Sequence, residues 1–147
     1  MGVEGHVNQK TISRDVERIG DIYKTMKDLK TIKNKVEPWI FVAISKNCID
    51  GKSWDYMMAD VVNSLEYVPE GVKRFVIPAG KYAVFKIKPK LSFLWGYTIG
   101  MTKRYVYTKW FKESAFIHEN SFLDDFEYHD YRSIITNPEI DLYVPVK

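Results

Sequence analysis

The chain of 147 residues contains a single cysteine, Cys48. No internal disulfide can form, and a reducing, cytoplasmic setting is the simplest expectation. Long apolar runs and a signal-peptide pattern are both missing, so no membrane role is expected. Charge of one sign is scarce as well, with a net charge of +3. The lysine-rich stretches at 24–35 and 81–90 read as solvated faces rather than a phosphate footprint. Helix-turn-helix signatures are absent, and direct nucleic-acid binding by this chain is not expected. His118 and His129 have no second histidine nearby, and Cys48 is remote from both, which argues against a metal site. Gly96 and Gly100 lack the flanks of either nucleotide fingerprint. Ser114-Ala115 lacks the glycine pattern of a nucleophile elbow. No cofactor is expected.

What is abundant is rings. Aromatic residues make up 15% of the chain, as ten Tyr, eight Phe and four Trp. Hydrophobic content of 46% and charged content of 28% are ordinary for one globular domain. The rings have two readings. They supply a Tyr-rich core and surface, or they wall a cavity, because pockets favour flat, rigid, partly polar side chains.

Residues 1–10 are polar and read as a flexible end or a fragment of strand. A helical period follows through Ile12, Val16, Ile19, Tyr23 and Met26, stopped by Glu37-Pro38. Residues 39–44 are an apolar run of strand length. A turn over Asn47–Lys52, containing Asp50-Gly51, leads to a second strand over 54–62, with Trp54, Tyr56 and Met58 on one side. Asp60 falls on that side too, where a carboxylate is costly unless paired. Residues 72–77 read as a short strand, Pro78-Ala79-Gly80 as a bulge or bend, and 82–87 as its continuation. A second helix is expected over 92–112, with Leu94, Tyr97, Met101 and Tyr105 as its stripe and Ile99, Val106 and Trp110 on the flanks. Gly96 and Gly100 suggest close approach of this helix to the sheet, or space left beside it. The order indicates an α+β fold with both helices on one face of an antiparallel sheet.

The last stretch organises the rest. Ile140, Leu142, Val144 and Val146 alternate with Asp141, Tyr143 and Pro145, the period of a half-buried strand. Asn137-Pro138 separates it from an aromatic-rich strand over 124–132. In that strand Glu127 stands between Phe126 and Tyr128. It is either a solvated strand carboxylate or the anionic floor of an apolar pocket. In a dry pocket it stays ionised against a cationic ligand, or its pKa rises and suits general acid–base work on water.

Four segments together resemble the GyrI-like family, the AraC-type effector-binding domains. They are Ile77-Pro78-Ala79-Gly80-Lys81-Tyr82-Ala83-Val84-Phe85, Trp110-Phe111-Lys112-Glu113-Ser114, Phe126-Glu127-Tyr128 and Ile140-Asp141-Leu142-Tyr143-Val144-Pro145-Val146-Lys147. The resemblance implies two pseudo-symmetric βαββ units and a ligand cleft between them, in a single domain spanning 1–147. The first family strand reads as short or missing, and an N-terminus trimmed from a longer regulator stays open. The family's glutamate corresponds to Glu127. Its following tyrosine is replaced by His129, and Tyr23 stands where tryptophan is common.

The function so implied is cytoplasmic, bacterial small-molecule binding. The domain would sense or sequester cationic, aromatic or amphipathic ligands, as multidrug-binding domains of transcription regulators do. Candidate ligand-binding residues are Glu127, Tyr82, Trp95, Tyr97, Trp110 and Tyr143, with Trp54 and Tyr56 from the first half. The alternatives are a hydrolase of the same family, with Glu127 as general base and Tyr97 or Tyr82 as hydrogen-bond donor, or a gyrase-interacting protein. A separately encoded DNA-binding regulator, a gyrase partner and a homodimer are open as further associations.

Overall fold

Alternating apolar residues in this sequence assemble one antiparallel sheet of six strands. A computed structural model describes residues 1–147. Its elements are β1 (Gly2–Asn8), α1 (Ile12–Asp28), β2 (Phe41–Ile49), β3 (Ser53–Asp60), β4 (Tyr82–Ile87), α2 (Trp95–Tyr105), β5 (Asp125–His129) and β6 (Ile140–Pro145). The spatial order β1-β3-β2-β5-β6-β4 is that of two βαββ units related by a pseudo-two-fold. Each unit contributes one outer strand, one helix and one hairpin. The units join where β2 pairs with β5, with Ala43 opposite Glu127.

Because side chains alternate across a strand, register decides what each face carries. Ala43 pairs with Met58 and with Glu127, and Glu127 pairs with Leu142, so these four point to one face. Both helices lie on that face. Ile19, Val16 and Tyr23 of α1 pack on Val3, Val7 and Ala43. Trp95, Ile99 and Trp110 pack with the buried Val106 on Ile87, Ile140 and Leu142. The opposite face is a separate core of Val42, Ile44, Met57 and Phe126. Phe75 and Ile77 cover it from the connection between the halves. The α+β arrangement expected from the order of elements is therefore present, with both helices on one face.

Four local readings change. The segment at 72–77 is not a strand; it runs extended over the far face, and Lys73 alone bridges to Gly2. Its apolar residues belong to the core without belonging to the ladder. The first helix stops at Asp28 rather than at Pro38. Lys30 and Asn34 take positive φ of 51° and 56°, which breaks the helix although Ile32 keeps an apolar spacing. Ile32 instead packs with Met1 and Val72.

The first strand is neither short nor missing. Gly2–Asn8 forms seven residues of strand paired along β3. Its glycines look like flexibility in the sequence, yet they mark close packing. A Cβ on Gly5 would lie 2.8 Å from Ile19 Cγ1, and one on Gly2 would lie 1.9 Å from the Met58 carbonyl oxygen. Helix α2 differs in the opposite sense. The stripe of Tyr97, Met101 and Tyr105 faces solvent. The flank of Ile99, Val106 and Trp110 faces the sheet. Gly96 and Gly100 do not serve close approach, since a Cβ at either would meet nothing within 4 Å. A π-helical turn, Val106–Trp110, follows α2 and leads into a last α-helical turn, Phe111–Glu113.

Candidate functional site

Helix α1 lies over β1 and β3, and α2 lies over β4. The junction strands β2 and β5 run between them. Their helix-side residues are Phe41, Ala43 and Ser45 from β2 and Asp125, Glu127 and His129 from β5. The two small residues of β2 are buried, Ala43 in the α1 cluster and Ser45 beside Lys103. The run Asp-Phe-Glu-Tyr-His puts two carboxylates and an imidazole on that one face.

Glu127 is 4% exposed. Its Oε1 lies 3.0 Å from Lys103 Nζ, and its Oε2 lies 3.3 Å from His129 Nε2. Lys103 descends from α2. Its ammonium is also 2.9 Å from Asp125 Oδ1 and donates weakly to Ser45 Oγ at 3.4 Å. The second oxygen of Asp125 accepts from the Tyr107 hydroxyl at 2.7 Å. Burial by itself pushes the Glu127 carboxyl up, but the Lys103 charge and His129 outweigh it and hold the group below the usual glutamate range. Burial likewise acts to lower Lys103, and the charges of Asp125 and Glu127 outweigh that, so the ammonium persists. The buried Tyr56, on the same face of β3, is raised by burial and then by Glu127. The centre is an ion cluster in which one ammonium is shared by two buried carboxylates.

Rings gather at one end of this centre. Phe41 meets the His129 ring edge-on at 5.1 Å, and Trp95 tilts against His129 at 6.2 Å. Tyr23 tilts on Phe41 at 5.3 Å, and Trp39 stacks on it at 6.4 Å. The chain Tyr23, Phe41, His129, Trp95 thus bridges from α1 to α2 beside Glu127. Two open hollows lie elsewhere. One of about 340 Å³ is bounded by Tyr107, Phe111, Phe116, Ile117 and His118. The other, about 120 Å³, lies near Gly80, Tyr82 and Phe122.

The sequence model of Cass2, described as an integron-associated effector binding protein, matches residues 1–146. This chain belongs to the Cass2 family. Several solved structures are similar to it. A structure of SAV2435 bound to tetraphenylphosphonium shares 13% identity over 99% of this chain and 86% of that one, with a TM-score of 0.65. The integron cassette protein VCH_CASS2, from the mobile metagenome of Vibrio cholerae, shares 12% identity over 99% of this chain and 88% of that one, at 0.60. At these identities the two structures speak for the fold. No curated protein sequence matches closely enough to count as a relative. The family assignment bears out the GyrI-like, effector-binding resemblance carried by the motifs.

Within this Cass2-family fold the residues singled out in the sequence scatter. Glu127, Tyr56 and Trp95 come together at the junction. Trp54 shares their face but packs in the cluster of Val7 and Ile19. Trp110 meets Phe85 edge-on at 5.1 Å, over the outer strand β4. Tyr97 is 68% exposed, on the solvent side of α2. Tyr82 and Tyr143 lie on the far face, because Glu127 pairs with Leu142 and the adjacent Tyr143 points the other way. Phe126 stacks on Tyr143 at 4.7 Å, and Tyr82 meets both edge-on. Much of the aromatic excess is therefore core.

Lys103, Asp125, Ser45 and Phe41 escape sequence reasoning. One signal was present: carboxylates two residues apart on a strand share a face, and a buried pair demands a cation. Nothing in the sequence says which of the 22 basic residues supplies it.

Proposed function

We propose that this chain is a cytoplasmic small-molecule-binding domain. It senses or sequesters amphipathic cations at the junction of its two halves. Glu127 is the counter-ion, and Trp95, Phe41 and His129 are the nearest ring surfaces. The observation that carries this reading is the placement of Glu127. Its carboxylate is buried, ionised and beside a run of rings, where β2 meets β5 between the two helices. A lipophilic cation gains there from both the carboxylate and the ring faces. The binding of tetraphenylphosphonium by the structurally similar SAV2435 supports the choice of ligand class. It also supplies a probe.

Titration of tryptophan fluorescence with tetraphenylphosphonium tests the proposal. The wild type should bind. Glu127→Gln should bind roughly tenfold more weakly, the loss of one charge-assisted contact. The isosteric anion tetraphenylborate should be rejected by the wild type. Equal affinity of wild type and Glu127→Gln, or no binding by either, refutes the role given to Glu127.

A further inference from the structure

The anion assigned to the ligand already has a cation. Lys103 Nζ stands 3.0 Å from Glu127 and 2.9 Å from Asp125, in the space a ligand cation would need. We propose that Lys103 is a resident counter-cation, displaced by the ligand, whose competition sets the affinity and the charge selectivity of the site. This rests on the reading of Glu127 given above and adds a specificity-determining residue to it.

Three observations make displacement the natural event rather than a disruption of the fold. First, the anions are more deeply buried than the cation. Asp125 and Glu127 side chains are 3% and 5% exposed on a central strand, while that of Lys103 is 22% exposed on a helix. Second, α2 is lightly held. No residue in Trp95–Tyr105 is buried. The π-helical turn Val106–Trp110 begins three residues after Lys103, and such turns are common where a helix serves function. Third, there is somewhere to go. Gly96 and Gly100 lie a turn or two before Lys103, with open space where a Cβ would stand. A four-carbon stem can lift its ammonium into water by rotamer change alone.

The charges also work out. Asp125 and Glu127 carry two negative charges against one on Lys103. Replacing the ammonium by one monocation leaves the balance unchanged, while the ring surfaces of Phe41 and Trp95 add contacts that lysine does not use. A ligand shifts such an equilibrium only by its differential contacts with the two arrangements. A small hydrated cation, lacking ring contacts, has no such advantage over Lys103. The ligand class that does is a lipophilic monocation with aromatic substituents.

The test compares wild type, Lys103→Met, Glu127→Gln and the double variant by tetraphenylphosphonium titration near pH 8. Lys103→Met should bind about tenfold more tightly than wild type, and the gain should vanish when Glu127→Gln is added. If wild type binds and Glu127→Gln weakens it, but Lys103→Met is unchanged or weaker, the counter-cation idea is overturned and the proposed function survives. If no variant binds, both fall. Should Lys103→Met fail to fold, the wild type decides. Lysine acetylation read by mass spectrometry should find Lys103 protected without ligand and reactive at saturating tetraphenylphosphonium. Protection that does not change overturns the inference.

Discussion

The two βαββ halves share an architecture and divide the labour. In the first half the helix and the sheet are closed on each other. Ile19 is fully buried, and its tip sits where Gly5 leaves out a Cβ. In the second half the corresponding helix has no buried residue before Val106, carries two glycines facing open space, and sends down a lysine. At the junction the first half supplies Ala43 and the second supplies Glu127, opposite each other in register. A repeated fold thus need not repeat its chemistry. One copy packs a buried helix residue against its sheet, and the other brings charge down from a helix that rests on half-buried residues.

The largest effect should come from breaking the charge centre of the second half. Lys103→Met leaves buried Asp125 without its cation and Glu127 with only His129, and should cost about 3–5 kcal/mol near neutral pH, measured by urea unfolding. The pH dependence should reverse at the same time. In the wild type the Glu127 carboxyl is held below its ordinary value of 4.5. Its contribution is present above that value and lost as pH falls through the depressed one, so stability drops toward acid. Without Lys103, burial is opposed by His129 alone, and the Glu127 carboxyl should rise. Lys103→Met should then lose stability as pH rises from acid to neutral, and Glu127→Gln in that background should flatten the curve. A wild-type-like acid limb in Lys103→Met would show that Lys103 does not govern Glu127.

A smaller effect should come from the closed half. Gly5→Ala drives a methyl to 2.8 Å from Ile19 Cγ1 and 2.9 Å from Cδ1. It should destabilise by about 1–3 kcal/mol through overpacking. Smallest, and opposite in sign, is the same substitution in the open half. Gly100→Ala meets nothing within 4 Å and should stabilise by about 0.5–1 kcal/mol through helix propensity. If both alanines destabilise alike in thermal melts, the contrast between a tight and a loose helix is wrong.

Most strands after residue 39 could be read directly, because alternation over Trp54, Tyr56 and Met58, or over Ile140, Leu142 and Val144, is a local signal; the apolar residues of 72–77 give a similar signal without joining the ladder. The edge strand Gly2–Asn8 could not. Its glycines are explained only by Ile19 and the Met58 carbonyl, which are remote in sequence. The two apolar stripes of α2 were equally visible, and periodicity alone has no means of ranking them. Tyr82 and Tyr143 have the ring chemistry of a pocket wall, yet parity along β6 puts Tyr143 on the far face from Glu127.

Composition, alternation and four short motifs were enough to specify an antiparallel α+β sheet, an effector-binding family and Glu127 as the residue of interest, since each is written in neighbouring residues. The pairing of β2 with β5 buried that glutamate, and the course of α2 delivered Lys103 to it. Those are long-range events, set by how two helices and six strands pack together. A carboxylate's charge state follows from its surroundings in space, and sequence spacing carries little record of them.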